Sequence, residues 1–367
     1  MSAGSSRQGR LLLAAATLVV VALGLVAVRR SPSLRREARA VERRITRRHA
    51  RFLDVDAADH FQRGNVHTHS TRSDGTAPIE SMVAWYRSHG YQFVAMTEHD
   101  VRVDPTELDS LAGPGFVVIS GQEVTDSVDG VPLHVNALCG QRTIDEKVDF
   151  ARADVGLSTI FREIRASGAI PLVNHPNFHW ALGATDLERG ASGRYLLEIW
   201  SGHPNVAPMG DALHPSAEAI WDEVFARGGD VAPAAVDDAH GLPDDPKGGD
   251  AFPGRGWVET YGDETTASAI CVALADGRLY ASNGPALARV AVEGETFSIG
   301  TTDPRVTVAF VGENGDVLRE VRAIEVAPAG GVREIAYRLE GGETLVRARV
   351  TDAEGKRAWT RAYRVGE

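Results

Sequence analysis

An apolar run near the start of the chain is the strongest hydrophobic feature of the sequence. Residues 11–28 (LLLAAATLVVVALGLVAV) carry no charge, and Thr17 is their only polar side chain. A helix of this length rises roughly 27 Å, close to the ~30 Å hydrocarbon core of a bilayer. Two arginines in the following stretch VAVRRSPS occupy the place where a signal peptide would be cleaved. The run is therefore predicted to be an uncleaved single-pass transmembrane helix, between an N-terminal tail (1–10) and an Arg-rich juxtamembrane segment (29–60).

The next part of the chain, 61–285, alternates short apolar stretches with amphipathic ones. In PIESMVAWYRSHG, apolar residues recur at i, i+3, i+4 and i+7, and Gly90 ends the predicted helix. LSTIFREIRASG and SAEAIWDEVFARGG repeat this pattern. Seven apolar stretches are typical of strands covered on both faces: NVHTH, FVAMT, FVVIS, HVNALC, IPLVN, LLEIW and VAPAAV. Seven parallel strands alternating with helices predict a closed or nearly closed α/β barrel, and a doubly wound open sheet is the alternative.

Beyond about residue 285 the pattern changes to short strands separated by Gly, Asp and Asn turns. Stretches such as RVTVAFVG and TLVRARVTD alternate apolar and polar residues, as half-exposed strands do. Residues 286–367 are therefore predicted to form a small C-terminal β-sandwich that acts as a packing or spacer module.

Charge is distributed unevenly along the chain. Residues 1–51 contain 12 arginines and two acids, which leaves 27 basic and 48 acidic residues in the remainder, a formal balance of −21. Such a body repels polyphosphate, so long nucleic acid is disfavoured as a partner, and bound cations would offset part of the acidity. Ten of these arginines follow the apolar run, and the positive-inside rule would keep them in the cytoplasm. A domain that follows an N-terminal signal-anchor more commonly faces outward, so the sequence leaves the side of the membrane open.

The two cysteines, Cys139 and Cys271, are far apart in apolar settings and have neither zinc-finger nor redox spacing. They are predicted to be buried thiols without a disulfide.

Polar residues that can bind metals follow nearly every predicted barrel strand. In the stretch HTHSTRSDG, His67 and His69 point to the same side of an extended segment. The stretches TEHD, GQE, HVN, NHP and DDAH add further candidates, so that the full set is His67, His69, Asp74, His99, Glu123, His134, His175, Asp238 and His240. Imidazole and carboxylate without thiolate suit Zn, Mn or Fe. These side chains are too many for one ion, so two or three divalent metal ions are predicted, which would polarise a phosphoryl or carbonyl oxygen and activate water.

These motifs, in this order, resemble the PHP (polymerase and histidinol phosphatase) superfamily over about residues 64–285. The resemblance implies a distorted seven-stranded (βα) barrel with a three-metal site. It would assign one ion to His67, His69, Glu123 and Asp238, a second to Asp74, His99 and His240, and a third to Glu123, His134 and His175. The later stretches DDAHG, GRGWVE and ALADGRLYASNGP are similar to the carbaryl-hydrolase-like branch of PHP-type metallohydrolases.

The favoured function is a metal-dependent hydrolase that acts on small phosphate esters or nucleotides. The 5′-to-3′ exonuclease-like activity of some relatives with a similar HSxxSDG stretch is one form of this function. His99, Asp74 and Asp238 are the catalytic candidates, and the candidate substrate contacts are Arg255, Arg278 and His179.

Two alternatives stay open at this point. One is an amide, ester or carbamate hydrolase of the carbaryl-hydrolase-like branch, for which Trp180, Trp200 and Trp257 would suit an aryl substrate. The other is a membrane-tethered binding module whose metals only stabilise the fold. The oligomeric state also stays open.

Overall fold

The computed structural model describes residues 50–145, 148–244 and 250–366. The predicted N-terminal tail, the transmembrane helix at 11–28 and most of the juxtamembrane segment lie outside these residues. Among the residues that are described, no helix is both long and apolar enough to cross a membrane. The membrane anchor at 11–28 therefore stays a prediction.

Six α-helices and three single turns of 3-10 helix occur in the described part of the chain. The helices are α1 (Ile79–Ser88), α2 (Pro105–Leu111), α3 (Ala153–Ala166), α4 (Ala184–Gly190), α5 (Ala217–Ala226) and α6 (Ala267–Ala275), and the turns are Phe178–Trp180, Glu313–Gly315 and Ala323–Glu325.

The strands of the first, larger part of the fold are β1 (Arg51–Phe52), β2 (Asp56–Ala58), β3 (Phe61–Asn65), β4 (Phe93–Met96), β5 (Val117–Ser120), β6 (Glu123–Val128), β7 (Val131–Leu138), β8 (Asp149–Phe150), β9 (Ile170–Val173), β10 (Tyr195–Ser201), β11 (Val231–Val236), β12 (Trp257–Tyr261) and β13 (Leu279–Ser282). Those that follow are β14 (Arg289–Glu293), β15 (Thr296–Thr301), β16 (Thr307–Val311), β17 (Val317–Arg322), β18 (Arg333–Arg338), β19 (Leu345–Thr351), β20 (Arg357–Thr360) and β21 (Tyr363–Gly366).

The three helices predicted from apolar periodicity form where the pattern places them. In α1 the buried face consists of Ile79, Met82, Val83 and Tyr86. In α3 it includes Leu157, Ile160, Phe161 and Ile164. Helix α5 begins after Ser216, whose hydroxyl accepts a hydrogen bond from the backbone N–H of Ala219, and this cap satisfies one of the unpaired donors of the first turn.

Seven strands surround the interior of the larger domain. Strands β3, β4 and β5 are parallel, and so are β9, β10 and β11. Strand β7 lies between these groups, because it pairs with β9 and because the Cys139 N–H donates to the Ser120 carbonyl at 2.8 Å. The N–H of His69 donates to the Ala239 carbonyl at 2.9 Å and joins the first strand to the last. The ring is therefore continuous.

One strand of this ring differs from the sequence prediction. Strand β7 is antiparallel to both β6 and β9, whereas all seven strands were predicted to be parallel. The reason is a tight hairpin at Asp129 and Gly130, which both have positive φ (48° and 77°). An Asp-Gly pair is a strong signal for a two-residue hairpin turn, so the sequence contained evidence against the parallel assignment.

The smaller domain consists of two antiparallel sheets around a shared apolar core. One sheet has the order β18-β15-β14-β2, and the other contains β16, β17, β19, β20, β21 and β1. Strands β1 and β2 come from residues 51–58, at the end of the segment (29–60) predicted to be juxtamembrane. Phe52 is buried there against Phe297 and Tyr363, with ring centroids 6.1 and 6.5 Å apart. The residues that immediately precede the larger domain therefore pack into the smaller one.

Continuous hydrogen bonding and a buried ion-pair cluster connect the two domains. Strand β12 pairs with β3, β13 with β12, and β20 with β13. Arg347 of β19 is buried and donates to Asp222 of α5 from Nε (2.7 Å) and to Glu218 from Nη2 (2.6 Å). The second domain is thereby held against α5 of the first.

A disulfide joins Cys139 to Cys271, with Cα atoms 6.1 Å apart, so the prediction of two thiols without a disulfide was wrong. Cys139 follows the end of β7 and Cys271 lies in α6, 132 residues later. Only the fold brings this strand end and this helix together, and the spacing of two cysteines in a sequence carries no such information.

Candidate metal centre

All nine metal-ligand candidates lie together at one end of the seven-stranded ring. This is the end where the parallel strands terminate, as expected for sites in α/β barrels. A cavity of about 270 Å³ opens there, and it is lined by Asp74, His99, Glu123, His134, His175, Phe178, His203, Val206, Asp238 and His240. His67 and His69 lie at its base and are fully buried. Strand β3 ends at Asn65, and the two histidines follow it in an extended segment that bridges to Ala239.

Glu123 is the central carboxylate of this site. Its Oε2 atom faces three imidazole nitrogens, which are Nε2 of His67 (3.0 Å), Nε2 of His69 (3.1 Å) and Nδ1 of His99 (3.4 Å). Its Oε1 atom faces Nδ1 of His134 (2.9 Å) and Nε2 of His175 (3.5 Å). One carboxylate with different imidazoles around each oxygen has the arrangement needed to bridge two cations.

Asp74 completes a second group on the more open side of the cavity. Its carboxylate lies 3.4 Å from His240 Nε2, 3.5 Å from His99 Nε2 and 3.6 Å from His69 Nδ1. The ligand atoms of these four residues all lie within 4.8 Å of one another. The Asp74 side chain is 53% exposed, so this group faces the open side of the cavity.

Asp238 supplies the third carboxylate, from the loop directly after β11. Its Oδ1 atom is 3.3 Å from His67 Nε2 and 3.4 Å from His69 Nε2. Its backbone has φ = 50°, a left-handed conformation that aspartate adopts more readily than most residues. Such a conformation costs on the order of 1 to 3 kcal/mol and is concentrated at functional sites.

The donor set fits divalent cations. His69 Nε2 and His134 Nδ1 are buried and have no hydrogen-bond partner of acceptable geometry, although carboxylate oxygens lie about 3 Å away. Unsatisfied buried nitrogens of this kind are rare unless another ligand completes them. Imidazole with carboxylate is a common donor set for Zn, Mn and Fe. The described residues form four overlapping groups of three or four ligands, consistent with more than one ion.

The carboxylates create a strongly negative potential at the base of the cavity. Burial alone would lower the pKa of His67, but Asp238, Glu123 and Glu198 together raise it well above its ordinary value. Burial is likewise outweighed at His69, where Asp238 and Glu123 raise the pKa to about 9. Without other cations these imidazoles would hold protons, and a metal ion that binds here must displace them.

Glu198 is a member of the site that the sequence analysis missed. It accepts a hydrogen bond from His67 Nδ1 at 2.6 Å through Oε1 and one from the His175 backbone N–H at 2.8 Å through Oε2. It is buried within β10. An acid in the middle of the apolar stretch LLEIW is the signal that could have identified it, because a buried carboxylate needs partners.

Asp237, next to Asp238, faces away from the cavity and fixes the loop after β11. It accepts hydrogen bonds from Asn65 Nδ2 (2.7 Å), the Tyr86 hydroxyl (2.9 Å), and the backbone N–H groups of Arg255 (2.6 Å) and Gly256 (2.9 Å). Burial raises its pKa to about 6, against the opposing effect of these hydrogen bonds. The first and last ligand segments of the ring are thereby connected behind the site.

The three predicted substrate contacts do not line the metal cavity. Strand β13 runs in the same direction as β3, and Arg278 directly precedes it. Arg278 therefore lies at the end of the ring opposite the metal cavity, where its Nε is 3.7 Å from Asp56 Oδ1. His179 lies in the turn Phe178–Trp180, where its ring contacts that of Phe178 and lines a pocket separate from the metal cavity. Arg255 lines a neighbouring groove, where its Nη1 donates to the Gly202 carbonyl at 3.2 Å. His203 lines the cavity instead, with its ring centroid 5.2 Å from that of His240.

Comparison with known proteins gives structural matches only. No protein-family model matches the sequence, and no curated protein matches it. Among solved structures, the chain is similar to a two-domain protein from Bacteroides vulgatus, described as containing a predicted PHP-like metal-dependent phosphoesterase. The identity is 17%, the TM-score is 0.44, and 86% of this chain and 88% of that one are covered.

Two further solved structures are similar. One is an amidohydrolase from Chromobacterium violaceum with bound sulfate and no metal (16% identity, TM-score 0.37, covering 50% of this chain and 89% of that one). The other is from Bifidobacterium adolescentis and is described, on prediction, as a metal-dependent phosphoesterase (13% identity, TM-score 0.39, covering 57% and 96%). None of the three descriptions names the carbaryl-hydrolase-like branch, which stays a prediction. With TM-scores below 0.5 these likenesses carry no argument, and the function is argued from the residues of the site.

Proposed function

We propose that this protein is a metal-dependent hydrolase that cleaves small phosphate esters. The observation that carries the proposal is the convergence of six imidazoles and three carboxylates on one cavity, with Glu123 positioned between two groups of nitrogens. A cavity of about 270 Å³ suits a phosphoryl group with its nearest substituent, and it does not suit a long polymer.

The ligand groups suggest how the cations would be held. His67, His69, Glu123 and Asp238 would hold one ion at the base, and Asp74, His99 and His240 a second on the open side. Glu123, His134 and His175 would hold a third. When bound, such ions neutralise charge on phosphoryl oxygens and lower the pKa of water. We propose that the native ions are Zn, Mn or Fe, because imidazole and carboxylate donors suit these metals.

The remaining roles follow from position. Phe178 and Val206 form an apolar part of the cavity wall, which would lower the local dielectric and strengthen electrostatic interactions there. His99 Nε2 and Asp74 Oδ2 are 3.5 Å apart on the open side, where both would hold the second ion, so the proton for a departing alkoxide would come from water in the open part of the cavity. Asp238 is buried at the base and acts by fixing the ligand geometry.

An amide, ester or carbamate hydrolase is the second candidate function. The same apolar wall of Phe178 and Val206 would accommodate an aryl carbamate, and grouped cations polarise a carbonyl oxygen as well as a phosphoryl oxygen.

The test uses the chain of residues 1–367 purified in detergent and supplied with Mn or Zn. Turnover of an aryl phosphodiester, an aryl phosphomonoester and an aryl carbamate is compared with and without chelator. We expect chelator-sensitive phosphoester turnover, and turnover of the carbamate alone would favour the second candidate.

His67→Ala and Asp238→Ala should each lower bound metal, measured by elemental analysis, and lower turnover at least 100-fold. The control is His60→Ala, an exposed histidine remote from the cavity. Full metal content with full turnover in either ligand variant would show the assignment to be wrong.

A further inference from the structure

A second cavity of about 720 Å³ lies beside the metal cavity, and His203 and Val206 line both. We call it the interdomain groove, because both domains form its walls. The larger domain contributes residues between 200 and 209 together with Gly254, Arg255 and Asn283. The smaller domain contributes Trp359 and the turn at 354–357, between β19 and β20. A substrate bound at the metal site can therefore extend past His203 into this groove.

The wall from the smaller domain is fixed in place before any substrate binds. The N–H of Arg357 donates to Asn283 Oδ1 at 2.6 Å, and the N–H of Asn283 donates to the Arg357 carbonyl at 3.0 Å. Arg357 Nη1 also donates to Glu218 of α5 at 3.0 Å. Within the turn, Asp352 Oδ1 accepts from the N–H groups of Glu354 and Lys356 at 3.0 and 2.8 Å.

A glycine shows how closely the two domains approach at this wall. A Cβ at Gly284 would lie 2.5 Å from Cβ of Lys356, a separation that real side chains do not tolerate. A side chain at this position would push the turn away from the larger domain. The wall therefore depends on a close backbone approach that only glycine allows.

The groove has an apolar side and a positively charged side. Its apolar surface includes Trp200, Val206, Pro208 and Met209, and Met209 is 56% exposed. Three cations, Arg255, Lys356 and Arg357, line it with one acid, Glu354. Arg357 is paired with Glu218 and Arg255 donates to a carbonyl, so the exposed Lys356 ammonium is the group best placed to meet a ligand. Because the rest of the chain is strongly acidic, this positively charged groove is expected to attract an anionic ligand.

We propose that the interdomain groove binds the leaving group of the substrate, and that this group is a ring system carrying a second negative charge. The inference rests on the proposed function, because that function places the scissile phosphoester in the adjoining cavity. The smaller domain then determines specificity through Lys356, in addition to packing against the larger one.

The test compares three aryl phosphates as substrates of the chain of residues 1–367 in detergent: phenyl phosphate, 6-carboxy-2-naphthyl phosphate and its neutral 6-carbamoyl analogue. We expect the carboxylate substrate to have the lowest KM in the wild type. Lys356→Glu should raise that KM about tenfold, equivalent to about 1.4 kcal/mol, and should raise the KM of the neutral analogue and of phenyl phosphate by a smaller factor. The matched control is Arg322→Glu, the same charge reversal on an exposed residue of β17 outside the groove.

A binding measurement separates this inference from the proposed function. The product 6-hydroxy-2-naphthoate is titrated into the wild type and Lys356→Glu, and naphthyl fluorescence is followed, which requires no turnover. Weaker binding to Lys356→Glu supports the groove even if no phosphoester is hydrolysed. Phosphoester turnover with equal product binding to both proteins would overturn the groove proposal alone, and so would an equal loss in Arg322→Glu.

Discussion

At the scale of a single residue, Glu198 supports the site although its side chain does not line the metal cavity. Its carboxylate accepts the Nδ1 proton of His67 at 2.6 Å, so Nε2 of that ring, which faces Glu123 and Asp238, is left to bind a cation. Carboxylate partners of this kind fix the tautomer and raise the basicity of a ligating histidine. We predict that Glu198→Gln lowers metal affinity about 10- to 100-fold, measured by competition with a fluorescent chelator.

The fold of the Glu198→Gln variant should be retained, because the amide is nearly isosteric with the carboxylate. The control is Glu188→Gln, which removes a half-exposed carboxylate paired with Arg227, and its metal affinity should equal that of the wild type. Unchanged metal affinity in Glu198→Gln would show that Glu198 stabilises only the fold.

Sequence reasoning identified the nine ligand candidates that converge on the cavity and missed Glu198 behind them. His67, Glu123 and Asp238 follow strand ends, and the alternation of strand and loop is visible in the sequence. The contact between His67 and Glu198 spans 131 positions and depends on the curvature of the sheet, which no local pattern encodes. Arg278 was placed at the site because it follows the last ligands in sequence, but it lies at the opposite end of the ring, since β12 reverses the chain.

At the scale of elements, a buried arginine lies at the centre of the contact between β19 and α5. Arg347 is 1% exposed, and its guanidinium donates to both Glu218 and Asp222. Removing one partner of a buried ion pair leaves uncompensated charge, at a cost of about 3 to 5 kcal/mol. We predict that Arg347→Met lowers the free energy of unfolding by that amount in urea titrations. Arg322→Met, on the exposed strand β17, serves as the control and should change it by less than about 0.5 kcal/mol.

The same cluster predicts a pH dependence. Burial alone would raise the pKa of Glu218, but Arg347 and Arg349 lower it from 4.5 to about 2 in the folded protein. A group whose folded pKa is depressed stabilises the fold fully above its unfolded value and loses this contribution as pH falls towards the folded value. The stability difference between the wild type and Arg347→Met should therefore shrink between about pH 4.5 and pH 2. A difference that is constant over this range would contradict the assignment.

The helices and the antiparallel hairpin show what local pattern can and cannot decide. Periodicity identified α1, α3 and α5 because each has a single buried face. The predicted direction of β7 was wrong, because an apolar run looks the same in a parallel strand and in an antiparallel one. Only the Asp129–Gly130 turn distinguished them. The placement of β1 and β2 in the smaller domain depends on pairing with strands more than 200 residues later, which lies beyond any local signal.

At the scale of the whole molecule, the Cys139–Cys271 disulfide bears on which side of the membrane the two domains occupy, which the charge distribution left open. It closes a loop of 132 residues and, in the chain-entropy account, contributes about 2 to 5 kcal/mol to stability. Disulfides persist in oxidising compartments and are rare in the cytosol. The ten arginines after the apolar run favour a cytoplasmic flank, whereas a structural disulfide favours an exported body. The disulfide is the stronger indicator, because it lies within the larger domain, whereas the arginines precede it.

We therefore predict that both domains lie on the non-cytoplasmic side of the membrane, and this can be measured in intact cells that express the chain. After acid quenching, a maleimide reagent should label neither cysteine without prior reduction, because both sulfurs are bonded to each other. Cys139→Ser should expose one labelled thiol, at Cys271, which shows that the reagent can reach the site. Protease added outside the cells should digest the wild-type body. Labelling of the unreduced wild type, together with protection from that protease, would place the body in the cytoplasm, because only a reducing compartment keeps both thiols free.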